Sequence, residues 1–557
     1  MSDQHSNLVS NDFSYLFFRN GVTFQINYDD DEDNTNNICD DKAQVSKLSD
    51  LCCSLIVQNE SLTEYACDII PKELFYPLFR AALKCSQDDS CINILIARWP
   101  YRIFRLENFV QKKLTSLKML LCDKTALQRT KQAIKYSVIL IPRFIDSIRQ
   151  QQTNKTKQSN LRILDVTNFP VVELILRYIS THCRLAEKES KRNQLIDIYH
   201  QQHQHLLPVL KCDDQNSNDD EIKLCTDIQL VNSNDTNDDL IKTSSYPDDI
   251  IIIRFDCIVQ DYRTYVELLS ALRTSTPNIQ LQICTIDIRC IGLALVTSFL
   301  DHVDKRFVHT LRVPYNVLTR QNLKYFLPRL PSLTKLHTLD LSCNFIDFRL
   351  NHDDLEQFCL VLSQLKYLKN LSLSGSPVTN CLEKILNSIE YSLDVLNLDF
   401  CSLSENDLIT LCQMTTRHQL LHLDLGTNRL NRFMRTLLLA IMKQKRLVVL
   451  ELDYNRFSSN DYLELIACCQ RVSSLKCLSV RGPNSLTTQL AAATFIGEHY
   501  PCLRSWKIAS PIEYSLNRFV ENDEQNYLIQ TIMPFDIFVN EMNKRAKCLV
   551  SIAELSV

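Results

Sequence analysis

The chain has 557 residues, a formal net charge of -4, 45% apolar and 23% charged residues. Such a length exceeds what one compact core usually supports, so the chain is expected to be multidomain or to grow lengthwise by repetition. The near-balanced charge argues against a chain devoted to nucleic acid or an anionic membrane. The 6 glycines lie too far apart to build a phosphate-cradling loop, which removes most nucleotide enzymes.

Met1-Ser2-Asp3-Gln4-His5 lacks a basic region followed by an apolar stretch, and no later apolar run approaches the ~20 residues that span a bilayer. The chain is therefore expected in the cytoplasm, with the nucleus as the second compartment. Its 23 cysteines, scattered and never spaced as Cys-x-x-Cys, read as reduced and mostly buried small hydrophobes rather than zinc ligands or disulfides. Residues 1–45 form an acidic segment, expected to be disordered.

Residues 46–158 have helical apolar spacing, over 62–83, 91–97, 106–121 and 131–148, and are expected to cap the end of a solenoid. Within them Leu62, Ala66 and Ile70 recur every fourth residue, which predicts one helical stripe whose small central residue allows close approach of a partner. Pro71 and Leu74 follow directly. Leu48, Cys52 and Ile56 make a second stripe of the same kind.

Residues 159–186 begin with Leu161-Arg-Ile-Leu164-Asp-Val166, a first strand-helix unit. Residues 187–249 are rich in Asp, Asn, Gln and Ser and read as a disordered insertion; His200, His203 and His205 within it read as a solvated tract, with no metal site. From 250 to 506 the pattern Leu-x-x-Leu-x-Leu recurs, as in Leu336, Leu339 and Leu341 followed by Asn344. Copies start at Val308, Leu336, Leu368, Leu393, Leu420, Leu447 and Leu475, at intervals of 28, 32, 25, 27, 27 and 28 residues. This is the period of leucine-rich repeats. The expected fold is α/β, a leucine-rich-repeat horseshoe with an α-helical N-terminal cap, in which Leu-x-Leu forms a parallel strand and the remainder a convex helix. Residues 507–557 are left as a C-terminal tail or cap.

Strand geometry aims the residues between and just after the strand leucines away from the core. Asp340, Asn397, Asp399, Asp424, Glu451 and Asp453 are thus expected to form an acidic stripe on the concave face, with Phe400 and Tyr454 as aromatic anchors for a basic target. A nucleophile elbow and the His-Glu-x-x-His spacing are absent, so no enzyme activity and no cofactor are expected.

Pro71-Lys-Glu-Leu74-Phe75 with Pro77-Leu78-Phe79, then Arg98-Trp99-Pro100-Tyr101 and the strand at Leu161, resembles the PRAME family. The resemblance runs from about residue 50 to about residue 505, outside the polar insertion. It implies a horseshoe, and it implies a substrate receptor of a cullin-2-type ubiquitin ligase docked through elongins B and C at Leu62, Ala66, Ile70, Pro71 and Leu74. One branch of the family is described as a cytoplasmic negative regulator of Toll-like-receptor and NF-κB signalling that binds the IκB kinase, which is the alternative the resemblance implies. The long acidic insertion, the extended N-terminus and the tail beyond Trp506 depart from the family pattern. The expected function is a non-catalytic protein-binding adaptor with protein partners, neither nucleic acid nor membrane.

Overall fold

A three-residue strand with one leucine at its centre cannot bury that leucine alone, so such units are stable only when stacked. The computed structural model shows that stack. It describes residues 48–84, 90–109, 136, 139–144, 160–167, 250–273, 279–318, 320–344, 346–350, 352–511 and 535–553. Among them 13 strands form one parallel sheet in strict sequence order. These are β1 (Ile103–Arg105), β2 (Ile163–Asp165), β3 (Ile251–Val259), β4 (Ile279–Ile288), β5 (Thr310–Arg312), β6 (Thr338–Asp340), β7 (Asn370–Ser372), β8 (Val395–Asn397), β9 (His422–Asp424), β10 (Val449–Glu451), β11 (Cys477–Ser479), β12 (Ser505–Ala509) and β13 (Leu549–Ala553).

The register aligns Leu311, Leu339, Leu371, Leu396, Leu423, Leu450, Leu478 and Trp506 in one row, and each is buried. Helices return the chain between strands, and each turns an apolar face onto that row. Two of them, α10 (Glu405–Gln413) and α12 (Ser459–Cys469), start with the same capping box, Ser404 with Asp407 and Ser458 with Asp461. The Ser hydroxyl accepts from the third helical amide while the Asp carboxylate accepts from the Ser amide, so two otherwise orphaned donors are satisfied.

The asparagines that follow the strands tie rung to rung. Asn344 donates to Val313 O at 2.8 Å and Leu341 O at 3.0 Å and accepts from Asn316 N at 2.8 Å. Asn428 and Asn455 repeat the arrangement. An amide has donor and acceptor faces together, so it can join a carbonyl of one rung to an amide of the next. Cys401 fills this place in its repeat, where its single thiol proton is shared between Leu373 O at 3.2 Å and Asp399 O at 3.4 Å.

The cap consists of α1 (Leu48–Ile56), α2 (Glu60–Ile69), α3 (Phe75–Lys84) and α4 (Ser90–Ala97). Its core is aromatic: Trp99, 1% exposed, lies 5.4 Å from Phe79, 5.0 Å from Phe104 and 5.2 Å from Tyr76, ring centre to ring centre. The Pro-Leu-Phe and Trp-Pro text therefore builds the joint between cap and β1.

The sheet is longer than the leucine spacing predicts. β1 falls inside the range assigned to a helical cap, and β13 falls inside the range assigned to a C-terminal tail or cap. Neither was legible, because Ile103-Phe104-Arg105 and Leu549-Val550-Ser551 fill the central slot with Phe and Val and are too short to show a period. β2 pairs directly with β3, although more than 80 residues separate them in sequence; the insertion at 187–249 and the acidic segment 1–45 lie outside the described residues. Among the described residues no helix is long and apolar enough to cross a membrane.

Candidate protein-binding site

On the cap, α2 starts at Asn59, whose side chain caps Leu62 N at 2.9 Å, and ends before Pro71. Thr63 and Ala66 are its buried residues, and Ile70 beyond its end is partly buried against the core. The Thr63 hydroxyl donates to Ile56 O, and α2 packs along α4. Arg98 at the end of α4 clamps the outside of α2 through Asp68 at 2.6 Å and Glu64 at 3.2 Å.

The expected stripe Leu62, Ala66, Ile70 does not share one free face. Leu62 is 44% exposed, whereas Ala66 is 4% exposed. Steps of four residues advance ~40° around a helix of 3.6 residues per turn, so three such positions sweep from the free face into the packed one. The free row is Leu62, Tyr65 and Ile69, at 44%, 64% and 62% exposure, spaced i, i+3, i+7. Leu74 and Pro71 are exposed next to it. Of the second stripe, Cys52 is exposed and Ile56 half-buried, and the apolar residues α1 leaves exposed are Leu51 and Leu55. Tyr65 and Ile69 were legible as apolar residues at positions where a surface helix is usually polar.

On the sheet face the acidic residues do come together, but not as free surface charge. Asp340, Asn397 and Glu451 are buried, and Asp399, Asp424 and Asp453 half-buried. Rungs ~4.8 Å apart let each side chain be covered by its neighbours on both sides, which alternation along one strand does not reveal. The Asp340 carboxylate accepts from Ser342 N at 3.0 Å. Asn397 donates to Asp424 at 2.9 Å, His422 Nε2 lies 3.1 Å from Glu451, and Asp453 accepts from Ser479 Oγ and Arg481 N, each at 2.7 Å. Gly426 leaves room for the crowding: a Cβ there would lie 2.7 Å from one Asp399 oxygen and 3.3 Å from one of Asp424.

Burial, then the charges of Glu451 and Asp399, push the Asp424 carboxyl well above the carboxylate range. Burial raises Asp453 to about 6 against the pull of Arg481. Both raised values mean that the folded chain holds protons the unfolded chain releases, so this stability is fully present below pH ~4 and is lost as pH rises through the folded values. Asp424→Asn should therefore gain on wild type in melting temperature between pH 5 and pH 7.5 by ~2 °C or more. Comparing the variant gap at two pH values cancels any change in hydrogen bonding common to both. A gap independent of pH would show that Asp424 is ionised throughout.

The turns after the strands carry aromatic groups at the same rung position. Tyr315, Phe400 and Tyr454 have φ of 59°, 53° and 56°, the left-handed region. Phe400 is 56% exposed and Tyr315 54%, while Tyr454 is half-buried. Holding a large side chain there costs on the order of 1 kcal/mol. Among the described residues no three His, Cys, Asp or Glu are placed to hold a metal.

Comparison with known sequences settles the family. The model of the PRAME N-terminal domain matches residues 45–141 and that of the PRAME C-terminal domain residues 259–495, together more than half the chain. The chain belongs to the PRAME family. It is 24% identical over 409 residues to leucine-rich repeat-containing protein 14 of Xenopus laevis, covering 72% of this chain and 74% of that one. With the protein of the same name from Rattus norvegicus it shares 25% over 227 residues, 39% of this chain and 46% of that one; with the Homo sapiens protein, 26% over 174 residues, 30% and 35%. Against the mammalian relatives the match thus spans less than half their length. Among solved structures, that of the Rad7 and Elc1 complex in yeast is similar over 47% of this chain and 69% of that one, at 15% identity and a TM-score of 0.29. The PRAME matches bracket the joint built by Trp99 and the leucine rows, the parts of the sequence that build the fold.

Proposed function

We propose that the chain is a substrate-recruiting adaptor of a cullin-2-type ubiquitin ligase, working in the cytoplasm: α2 docks elongin C, and the solenoid captures the target. The coarser part of this reading, a protein-interaction scaffold, rests on family membership and on the stacked repeats. The docking part is carried by one observation, the exposed row Leu62, Tyr65 and Ile69 on a helix whose opposite face is already packed. An apolar row spaced i, i+3, i+7 suits a hydrophobic groove on a partner, and each side chain it buries there stabilises the complex by ~25 cal/mol per Å². The row lies on the cap and not on the sheet, so docking leaves the sheet face open. There Phe400 offers an exposed anchor with the half-buried Tyr454 and Asp399 on the same face, and a target would dock on this ring rather than on free surface charge, because Glu451 is buried and the Asp424 carboxyl is pushed well above the carboxylate range.

The test is a full-length Leu62→Asp, Ile69→Asp double variant mixed with purified elongin B/C and run over a sizing column. Wild type should co-elute and the variant should not, because two charges would be desolvated without partners. Both sites are exposed, so the melting temperature should hold. Ala66→Arg is no substitute, since Ala66 is interior and the cap itself would open. Co-elution of the double variant at wild-type yield would remove the docking assignment. Binding of the IκB kinase without a ligase would then be the reading to pursue.

A further inference from the structure

The edge of the sheet where the chain enters each strand is ordered rung by rung. Lys369 N donates to His337 O at 2.8 Å, Asp394 N to Lys369 O at 2.8 Å, Lys476 N to Val448 O at 2.9 Å and Arg504 N to Lys476 O at 2.8 Å. Side chains just before and at this ladder therefore form a rim that crosses the repeats. The rim is basic. Lys335, Lys366 and Lys369 make one block before β6 and β7, and Arg446, Arg471 and Arg504 make a second before β10, β11 and β12. All but Lys369 are exposed.

Among the described residues these charges are not neutralised. Among the described residues none of the six has a carboxylate within ion-pair reach; Arg446 reaches only Gln419 at 3.0 Å and Lys369 only Ser392 O at 3.2 Å. The field is felt locally: burial, then His337, Lys335 and Arg254, hold the His309 imidazole below its usual value. A chain of net charge -4 has thus gathered along one edge cations that have no ion-pair partner among the described residues. Exposed aromatic rings accompany them, His337 lying 6.0 Å from Tyr367 and Tyr391 standing one rung further on.

We propose that this rim docks an extended acidic protein segment with two acidic blocks, a surface separate from both the cap row and the sheet-face carboxylates. Charge complementarity selects the occupant. Two rungs lie between the blocks: that of β8 carries the exposed Glu390 and the half-buried Asp394, which repel a continuous phosphate backbone, and that of β9 carries the exposed Arg417 beside the uncharged Gln419, so the middle is close to neutral and faces the neutral middle of a bipartite peptide. The span fits as well: six steps of ~4.8 Å from β6 to β12 make ~29 Å, the length of about nine extended residues. Arginine forks in the second block suit paired carboxylate oxygens, and Tyr367 and Tyr391 cover the middle.

The experiment uses the full chain and fluorescence anisotropy. The labelled probe is a peptide of about ten residues, two glutamate blocks around two serines. Competitors are an oligouridylate of similar length and the same peptide with glutamine for glutamate. The glutamate peptide should bind, weaken about tenfold on going from low to above-physiological salt, and lose about tenfold in the Lys366→Glu, Arg471→Glu double variant. The Arg432→Glu, Arg435→Glu variant has the same net charge but lies off the rim, and should bind within about twofold of wild type. Absence of binding, equal loss in both double variants, or stronger competition by oligouridylate than by unlabelled peptide would each overturn the proposal. Elongin B/C co-elution should be unchanged in the rim variant, so a failure here is separable from a failure of the docking reading.

Discussion

Gly497→Ala should undock the C-terminal unit of the sheet. Gly497 lies inside α13 (Leu486–His499), where alanine ordinarily stabilises a helix by roughly 0.5–1 kcal/mol. Here the sign reverses. A Cβ at 497 would lie 1.7 Å from the carbonyl oxygen of Arg545 and 2.9 Å from its carbon, in the last turn of α14 (Phe535–Ala546). The obstacle is backbone, so no rotamer relieves it, and α14 must move away. Moving it lifts Phe538 and Met542, both 0% exposed, out of the core and pulls on the β12–β13 register from Ser505 with Leu549 to Ala509 with Ala553. Overpacking of this kind costs ~1–3 kcal/mol or more, which exceeds the gain in helix propensity. Hydrogen exchange should show lost protection in β13 while β6 to β10 keep theirs, because a solenoid couples mainly to nearest neighbours. Full protection of β13 in the variant would mean that the two helices do not approach so closely.

Asn428→Leu should cost more than most core truncations although it adds apolar volume. Asn428 is 5% exposed and serves five backbone groups. It donates to Leu398 O at 2.8 Å, Leu425 O at 3.1 Å and Gly426 O at 2.8 Å, and accepts from Cys401 N at 2.9 Å and Leu403 N at 3.2 Å. Leucine has the same number of side-chain heavy atoms, with bulkier methyl groups, and none of these bonds. Each buried amide or carbonyl left without a partner costs ~1–3 kcal/mol, so a loss of roughly 3–5 kcal/mol is expected. Asn428→Cys should lie between, as Cys401 already shows a thiol donating to one carbonyl of the preceding rung. Urea unfolding gives the order, with wild type most stable and leucine least. Leucine equal to cysteine would mean that volume, and not hydrogen bonding, sets stability at this position.

The family text and the concave stripe were legible to different depths for physical reasons. Leu62 and Phe400 were readable as surface groups because one residue's helical or strand phase fixes its direction. Ala66 was misplaced because phase within α2 does not say which side α4 will cover. Glu451 was misjudged because its burial comes from His422 and the neighbouring rungs, residues about one repeat away in sequence. The basic rim is not legible in the sequence because its members, one or two before a strand, lie 25 or more residues apart from one rung to the next, and only stacking gathers them.

The sequence by itself determined the repeat, its period, the strand leucines, the linking asparagines and the family, because each is a local pattern that stacking merely multiplies. Tertiary structure alone decided where the sheet begins and ends, which face of α2 stays free, and how far Asp424 and Asp453 depart from ordinary carboxylates. These depend on what covers a residue from the next rung or the next helix, and desolvation is a property of that neighbour, not of the residue's own place in the pattern.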